Sequence, residues 1–221
     1  MVSVWAADIT PLLIEETYRA YYNKVPEWRK EKADKLRNME DRARSVGAWS
    51  LWEKIQEMTE LPEHAVFNLS HSGKYVLCAC SDREGVQVGC DVEMTGVLRM
   101  AVAERYFCPA ECEIIRAGIQ SIDQGQTDAG GDEKEQTEWF YRFWVLKESF
   151  MKATRRGMGL DMRTYEFAWG LDGIPYMRRQ PEEYPGIYLC REYELKQGEA
   201  RAAVITTDEE IEGRLHEIRL A

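Results

Sequence analysis

The sequence predicts an α+β fold built as two similar halves, residues 1–98 and 99–221, and two observations carry that prediction. A chain of 221 residues that is 44% hydrophobic holds enough apolar surface for one large domain or two compact halves. Helical and strand periodicities also come in blocks, and the order of a helix followed by three strands occurs twice. No strict repeat accompanies that order, so the duplication rests on element order alone.

Val2 to Ala7 reads as a short strand. Thr10 stands where it would cap a helix running from Pro11 to Tyr22, with proline at its first position. Pro26 opens a second helical stretch towards Ile55, where Leu36, Met39, Ala43, Val46 and Leu51 follow the 3.6-residue period and Gly47 marks an expected break. Ala65 to Leu69, Tyr75 to Cys80 and Val86 to Glu93 are strands separated by polar turns, and they read as a β-meander. Helix returns from Met100 to Arg116, with Pro109 marking a start inside it, and from Glu138 to Arg155. The loop between them, Gly118 to Gln136, is polar and glycine-containing and reads as a mobile surface insertion. Thr164 to Trp169, Gly186 to Tyr193 and Arg201 to Thr206 complete the second block.

Composition narrows the class of function. Twenty-nine basic against 39 acidic residues give a net charge of −10, which argues against a nucleic-acid partner held by the whole surface. The N-terminus lacks a signal-peptide pattern and no run reaches membrane-spanning length, so a cytoplasmic protein without a membrane partner is expected. Six cysteines are too sparse for a disulfide scaffold and lack structural-zinc spacing, and Cys78 and Cys80 share one face of a strand, as reduced core residues would.

Asp91 and Glu93 stand one residue apart at a strand end, which sets both carboxylates on one face roughly 6 to 7 Å apart at the backbone. Such a pair suits a hard, oxygen-ligated cation, and equally a solvated pair of acids beside a turn. Trp144, Glu148 and Lys152 fall four apart and form one helical stripe, offering a third carboxylate to the metal and an ammonium to a phosphate. An ordinary surface Glu-to-Lys pair would look the same. The turn Asn68-Leu69-Ser70-His71-Ser72-Gly73-Lys74 adds hydroxyl and imidazole donors for phosphate, although Ser70 and His71, being adjacent on an extended strand, cannot form a nucleophile–base dyad. Arg29, Lys30, Lys32, Lys35, Arg37, Arg42 and Arg44 concentrate positive charge in an acidic chain, interleaved with Glu31, Asp34, Glu40 and Asp41.

Together, Phe67-Asn-Leu-Ser-His-Ser-Gly73, Val88-Gly-Cys-Asp-Val-Glu93 and Trp144-Val-Leu-Lys-Glu-Ser-Phe-Met-Lys152 resemble the three ordered motifs of the 4′-phosphopantetheinyl transferases, in their longer, pseudodimeric, surfactin-synthetase-activating type. Pro26 to Ser45, Arg105 to Glu111 and Glu135 to Tyr141 extend the resemblance up to about Phe167. It implies two α/β halves about a pseudo-twofold axis, each with a small, mainly antiparallel sheet and packed helices, and coenzyme A in the cleft of a monomer. It implies that Asp91, Glu93 and Glu148 bind Mg²⁺, with Mn²⁺ as an alternative, and that the metal holds the coenzyme A pyrophosphate. Lys152 would contact that pyrophosphate, Ser70 and His71 the coenzyme phosphates, and Arg29, Lys32 and Arg44 the adenosine 3′-phosphate. The co-substrate would be an apo acyl or peptidyl carrier protein, whose serine proton passes to Glu148 directly or through water.

Two departures stand out. A Gly-Lys-Pro segment common in the family is replaced here by Met58 to His64, and the insertion around Gln124 to Glu133 sits where the family meets its carrier. Two other functions compete. A non-catalytic regulator binding coenzyme A or a nucleotide would use the same basic face, but the intact acid triad speaks against it. A Mg²⁺-dependent phosphotransferase on a small nucleotide would need a Walker-type glycine loop, which the sequence lacks.

Overall fold

The computed structural model describes residues 1–62, 64–118 and 132–220. Strand β1 (Val2–Asp8) leads through a 3₁₀ turn (Thr10–Leu13) into helices α1 (Glu15–Tyr22), α2 (Glu27–Asp34) and α3 (Met39–Thr59). Strands β2 (Val66–Ser72), β3 (Tyr75–Ser81) and β4 (Val88–Met94) follow, then helices α4 (Met100–Tyr106), α5 (Pro109–Ala117) and α6 (Glu133–Ala153). The chain closes with β5 (Glu166–Trp169), β6 (Pro175–Arg179), β7 (Leu189–Leu195), β8 (Ala200–Thr206) and β9 (Ile211–Arg219).

These elements form four layers. One sheet has the order β2-β3-β1-β9 and a second the order β4-β8-β7, with β5 and β6 as a separate hairpin. Alternation along β1 and β3 sends Trp5, Ala7, Val76, Cys78 and Cys80 towards α1–α3, and Val4, Ala6, Leu77 and Ala79 towards the second sheet. The second sheet returns Cys90, Val92, Ala202 and Val204 to that shared core, while Ala203 and Ile205 on its far side join the aromatic core around α6. All six cysteines are buried free thiols, as the spacing indicated. Among the described residues no helix is long and apolar enough to cross a membrane.

The mixed α+β reading with small sheets and packed helices is borne out, and several details are corrected. The three central strands do not form a meander: β2 and β3 pair antiparallel, but β4 leaves them to pair with β8. In turn, β9 crosses back to pair in parallel with β1, so β4 and β9 each join a sheet whose other strands are distant in sequence. The helical stretch after Pro26 breaks between Asp34 and Met39, where Asn38 caps α3 by accepting from Asp41 N at 2.8 Å. Gly47 does not break α3 but lies inside it; a Cβ there would stand 2.7 Å from Ile9 Cγ2, so its small size lets α3 press on the end of β1. Thr10 does not cap a helix; its backbone N–H is held by Asp8 at 2.8 Å and α1 begins at Glu15. Helix α6 starts at Glu133, five residues before the expected Glu138, on a capping box between Asp132 and Glu135. The loop expected over 118–136 lies outside the described residues from 119 to 131, as does most of the insertion around 124–133.

Candidate active site

Helix α6 lies directly on β4 because β4 carries a glycine at the crossing. A Cβ on Gly89 would fall 2.1 Å from Ser149 O and 2.2 Å from Ala153 N, so no other residue allows this approach. The same strand face continues with Asp91 and Glu93, and the helix places Glu148 and Lys152 beside them. Strand β2, the edge of the first sheet, approaches β4, the edge of the second, through side chains instead of a backbone ladder. Asn68 Oδ1 accepts from Cys90 N at 3.0 Å, Ser70 Oγ donates to Asp91 Oδ1 at 2.8 Å, and Ser72 Oγ donates to Glu93 Oε2 at 2.6 Å. The cluster therefore sits where the two sheets and α6 meet.

Lys152 Nζ donates to Asp91 Oδ1 at 2.6 Å and to Ser70 Oγ at 2.8 Å. Burial works to lower the Lys152 pKa, but Asp91, Cys90 and Glu148 outweigh it and the ammonium is held above its ordinary value. Burial lifts Glu148 to about 7, with the charges of Asp91 and Glu93 adding to the rise and Lys152 opposing it. Glu93 is also raised, first by burial and then by Asp91, against the hydrogen bond from Ser72 and the charges of Lys152 and Arg99. Three carboxylates thus crowd one half-buried cation.

His71 opens to solvent, while desolvation and the charges of Arg44, Lys152 and Lys32 hold its pKa below the usual histidine range. Arg44 donates to Gly73 O at 3.0 Å and pairs with Asp41. Lys32, Arg44 and Lys152 therefore bring positive charge to the rim of the acid cluster, with the His71 imidazole among them. Arg29 stands apart from them: 8% exposed, its guanidinium lies 4.7 Å from the Trp28 ring and 5.1 Å from the Trp49 ring, and among the described residues its Nε has no hydrogen-bond partner.

The donor set suits a divalent cation in chemistry. Asp91 is 3% exposed, yet among the described residues its Oδ2 has no hydrogen-bond partner and no hydrogen bond or ion pair engages the Glu148 carboxylate. Oxygen ligands that repel one another and lack partners are what Mg²⁺ or Mn²⁺ satisfies. In position the fit is incomplete: among the described residues no three His, Cys, Asp or Glu side chains converge on one point, and the Lys152 ammonium rests on Asp91.

Three contributors were not assigned a role from sequence. Gly89 carried a readable signal, since glycine inside a strand marks close backbone approach. Asn68 and Ser72 alternate with Ser70 on one face of β2, but their partners depend on how two sheet edges meet.

Residues 87–206 match the family model described as the 4′-phosphopantetheinyl transferase superfamily. The 4′-phosphopantetheinyl transferase Sfp of Bacillus subtilis (strain 168) is 30% identical over 139 residues, covering 63% of this chain and 54% of that protein. The L-aminoadipate-semialdehyde dehydrogenase-phosphopantetheinyl transferase of Homo sapiens is 32% identical over 101 residues, 46% of this chain and 30% of that protein. This chain thus spans about half the length of Sfp, or less of the human relative. Among solved structures, the Thermotoga maritima holo-[acyl-carrier-protein] synthase aligns with a TM-score of 0.40 at 18% identity, over 56% of this chain and 64% of that one.

Proposed function

Because the chain belongs to the 4′-phosphopantetheinyl transferase superfamily, with Sfp among its relatives, we propose that it transfers 4′-phosphopantetheine from coenzyme A to a serine of an apo acyl or peptidyl carrier protein, releasing adenosine 3′,5′-bisphosphate. The observation that carries this reading is the joining of Ser70, Asp91, Glu93, Glu148 and Lys152 in one cluster beneath a cationic rim. A pyrophosphate needs both parts: cations to meet its charge, and carboxylates to hold a metal.

Asp91, Glu93 and Glu148 are the residues that would hold Mg²⁺ or Mn²⁺, which when bound neutralises charge on the pyrophosphate. Lys152 lies within reach of the same point and stabilises negative charge there. Ser70 orients Lys152 by accepting its hydrogen bond, and His71, Arg44 and Lys32 meet the remaining phosphates. Glu148, with a pKa of about 7, has the basicity to take the serine proton near neutral pH, directly or through water.

The two halves, 1–98 and 99–221, are read as related by a pseudo-twofold axis. In support, the 21-residue helices α3 and α6 are each followed by an antiparallel hairpin, β2–β3 and, beyond the β5–β6 pair, β7–β8, whose next strand joins the other half's sheet. The enzyme is read as a cytoplasmic monomer acting on a protein, with no nucleic-acid or membrane partner, in keeping with its net charge of −10. The test is to incubate the chain with coenzyme A, Mg²⁺ and apo carrier proteins and weigh the carriers by mass spectrometry. A phosphopantetheine adduct is expected, and its absence from every one of several carriers refutes the reading.

A further inference from the structure

The turn that follows Ser70, His71 and Ser72 is held at its far end by Glu199, from the turn between β7 and β8. Lys74 Nζ lies 2.6 Å from Glu199 Oε1, and the Tyr75 hydroxyl donates to Glu199 Oε2 at 2.8 Å. Tyr75 is 2% exposed, so its hydroxyl needs a partner inside the protein. The Glu199 carbonyl also accepts from Thr95 N at 2.9 Å, one residue beyond the end of β4. One residue therefore ties the β2–β3 turn to the strand that carries Asp91 and Glu93. In its own turn, Lys196 and Gln197 take left-handed backbone at φ 41° and 57°, which residues other than glycine keep only where surrounding contacts fix it.

The β2–β3 turn bears directly on the acid cluster. Ser72 Oγ accepts from Met94 N at 3.1 Å while donating to Glu93. Gly73 has a φ of 52°, and a Cβ on it would stand 2.4 Å from Met94 Cγ, so the turn is pressed against the end of β4. A shift of Lys74 and Tyr75 passes through Gly73 and Ser72 to the Glu93 carboxylate, and along the same backbone to His71.

We infer that Glu199 is a positioning residue for the proposed transfer: it touches no reacting group, but it fixes this turn so that Ser72 aims the Glu93 carboxylate and His71 faces the phosphates. This role rests on the transferase reading above. Two backbone contacts also hold the turn, from Arg44 to Gly73 O at 3.0 Å and from Ile9 N to Lys74 O at 2.8 Å. Neither engages the Lys74 or Tyr75 side chain, so loss of the Glu199 carboxylate leaves the turn folded and frees it to shift against β4.

Glu199→Ala removes both side-chain contacts, and Glu199→Gln keeps an acceptor for Tyr75 while losing the charge beside Lys74. Circular dichroism and urea denaturation establish that each variant is folded. Isothermal titration in Mg²⁺ measures the Kd of coenzyme A, and transfer kinetics separate kcat from the KM for coenzyme A and from the Mg²⁺ concentration at half-maximal rate. Expected for Glu199→Ala is a rise of about tenfold in the coenzyme A Kd and in the half-maximal Mg²⁺ concentration, with Glu199→Gln recovering most of both. A folded Glu199→Ala chain with native values of both, or with kcat alone lowered, overturns this inference and leaves the transferase reading standing. A wild-type chain that neither binds coenzyme A nor modifies a carrier overturns that reading and this inference with it.

Discussion

Replacing Gly89 by alanine perturbs the site without touching a charged group. The added Cβ would stand 2.1 Å from Ser149 O, 2.2 Å from Ala153 N and 2.8 Å from Ala153 Cα, all backbone atoms that no rotamer change can move. Ordinary carbon contacts begin near 3.5 Å, so α6 must withdraw from β4 by about 1 Å. Overpacking of this kind costs about 1–3 kcal/mol, to be read as a lowered midpoint in urea denaturation. The functional cost should be larger in proportion. Glu148 and Lys152 ride on the displaced helix while Asp91 and Glu93 stay on the strand, and a misplacement of about 1 Å can lower a rate by about 100-fold. The assay pairs urea denaturation with the rate of carrier modification. A Gly89→Ala chain with native stability and native rate would refute the claim that this contact sets the site.

Other expectations follow from the same geometry. Glu148→Gln abolishes transfer and leaves the circular dichroism spectrum unchanged; full activity in that variant removes Glu148 from both its roles. Because folding lifts Glu148 from 4.5 to about 7, the unfolded chain releases this proton as pH rises through that window while the folded chain keeps it. The contribution of Glu148 to the stability of the metal-free chain therefore falls from pH 4.5 to 7, and melting curves across that range should show Glu148→Gln losing less stability, relative to wild type, as pH rises. Lys147 and Glu111 are both fully buried, 2.9 Å apart, with Lys147 also donating to Met162 O and Tyr165 O. Removing one partner by Glu111→Ala strands a buried charge and costs about 3–5 kcal/mol in urea denaturation, whereas Glu111→Leu with Lys147→Met recovers much of it. Arg29→Ala, which strips a guanidinium from between Trp28 and Trp49, costs stability and spares coenzyme A affinity, while Arg44→Ala weakens coenzyme A by about tenfold.

What the sequence made legible was decided locally. The one-residue spacing of Asp91 and Glu93 and the four-residue spacing of Trp144, Glu148 and Lys152 settle which side chains share a face, whatever the rest of the chain does. What it left dark was decided at a distance. Strand β4 pairs with β8, more than a hundred residues away, and nothing in Val88–Met94 prefers that partner to β3, its neighbour in sequence. Strands β6 and β9 escaped notice because β6 reads Pro-Tyr-Met-Arg-Arg and β9 is an edge strand whose outer residues are polar, which blunts the period-two signal. The placement of Arg29 turned on Trp49, twenty residues on, which periodicity alone could not bring to it.

The central claim, that Asp91, Glu93, Glu148 and Lys152 form a metal-assisted pyrophosphate site, is tested most directly by titrating coenzyme A into the wild-type chain and into Asp91→Asn, with Mg²⁺ and with chelator. The account predicts tight binding only for wild type with Mg²⁺, and weak binding in the other three conditions. Affinity that is the same with and without Mg²⁺, or unchanged in Asp91→Asn, contradicts it.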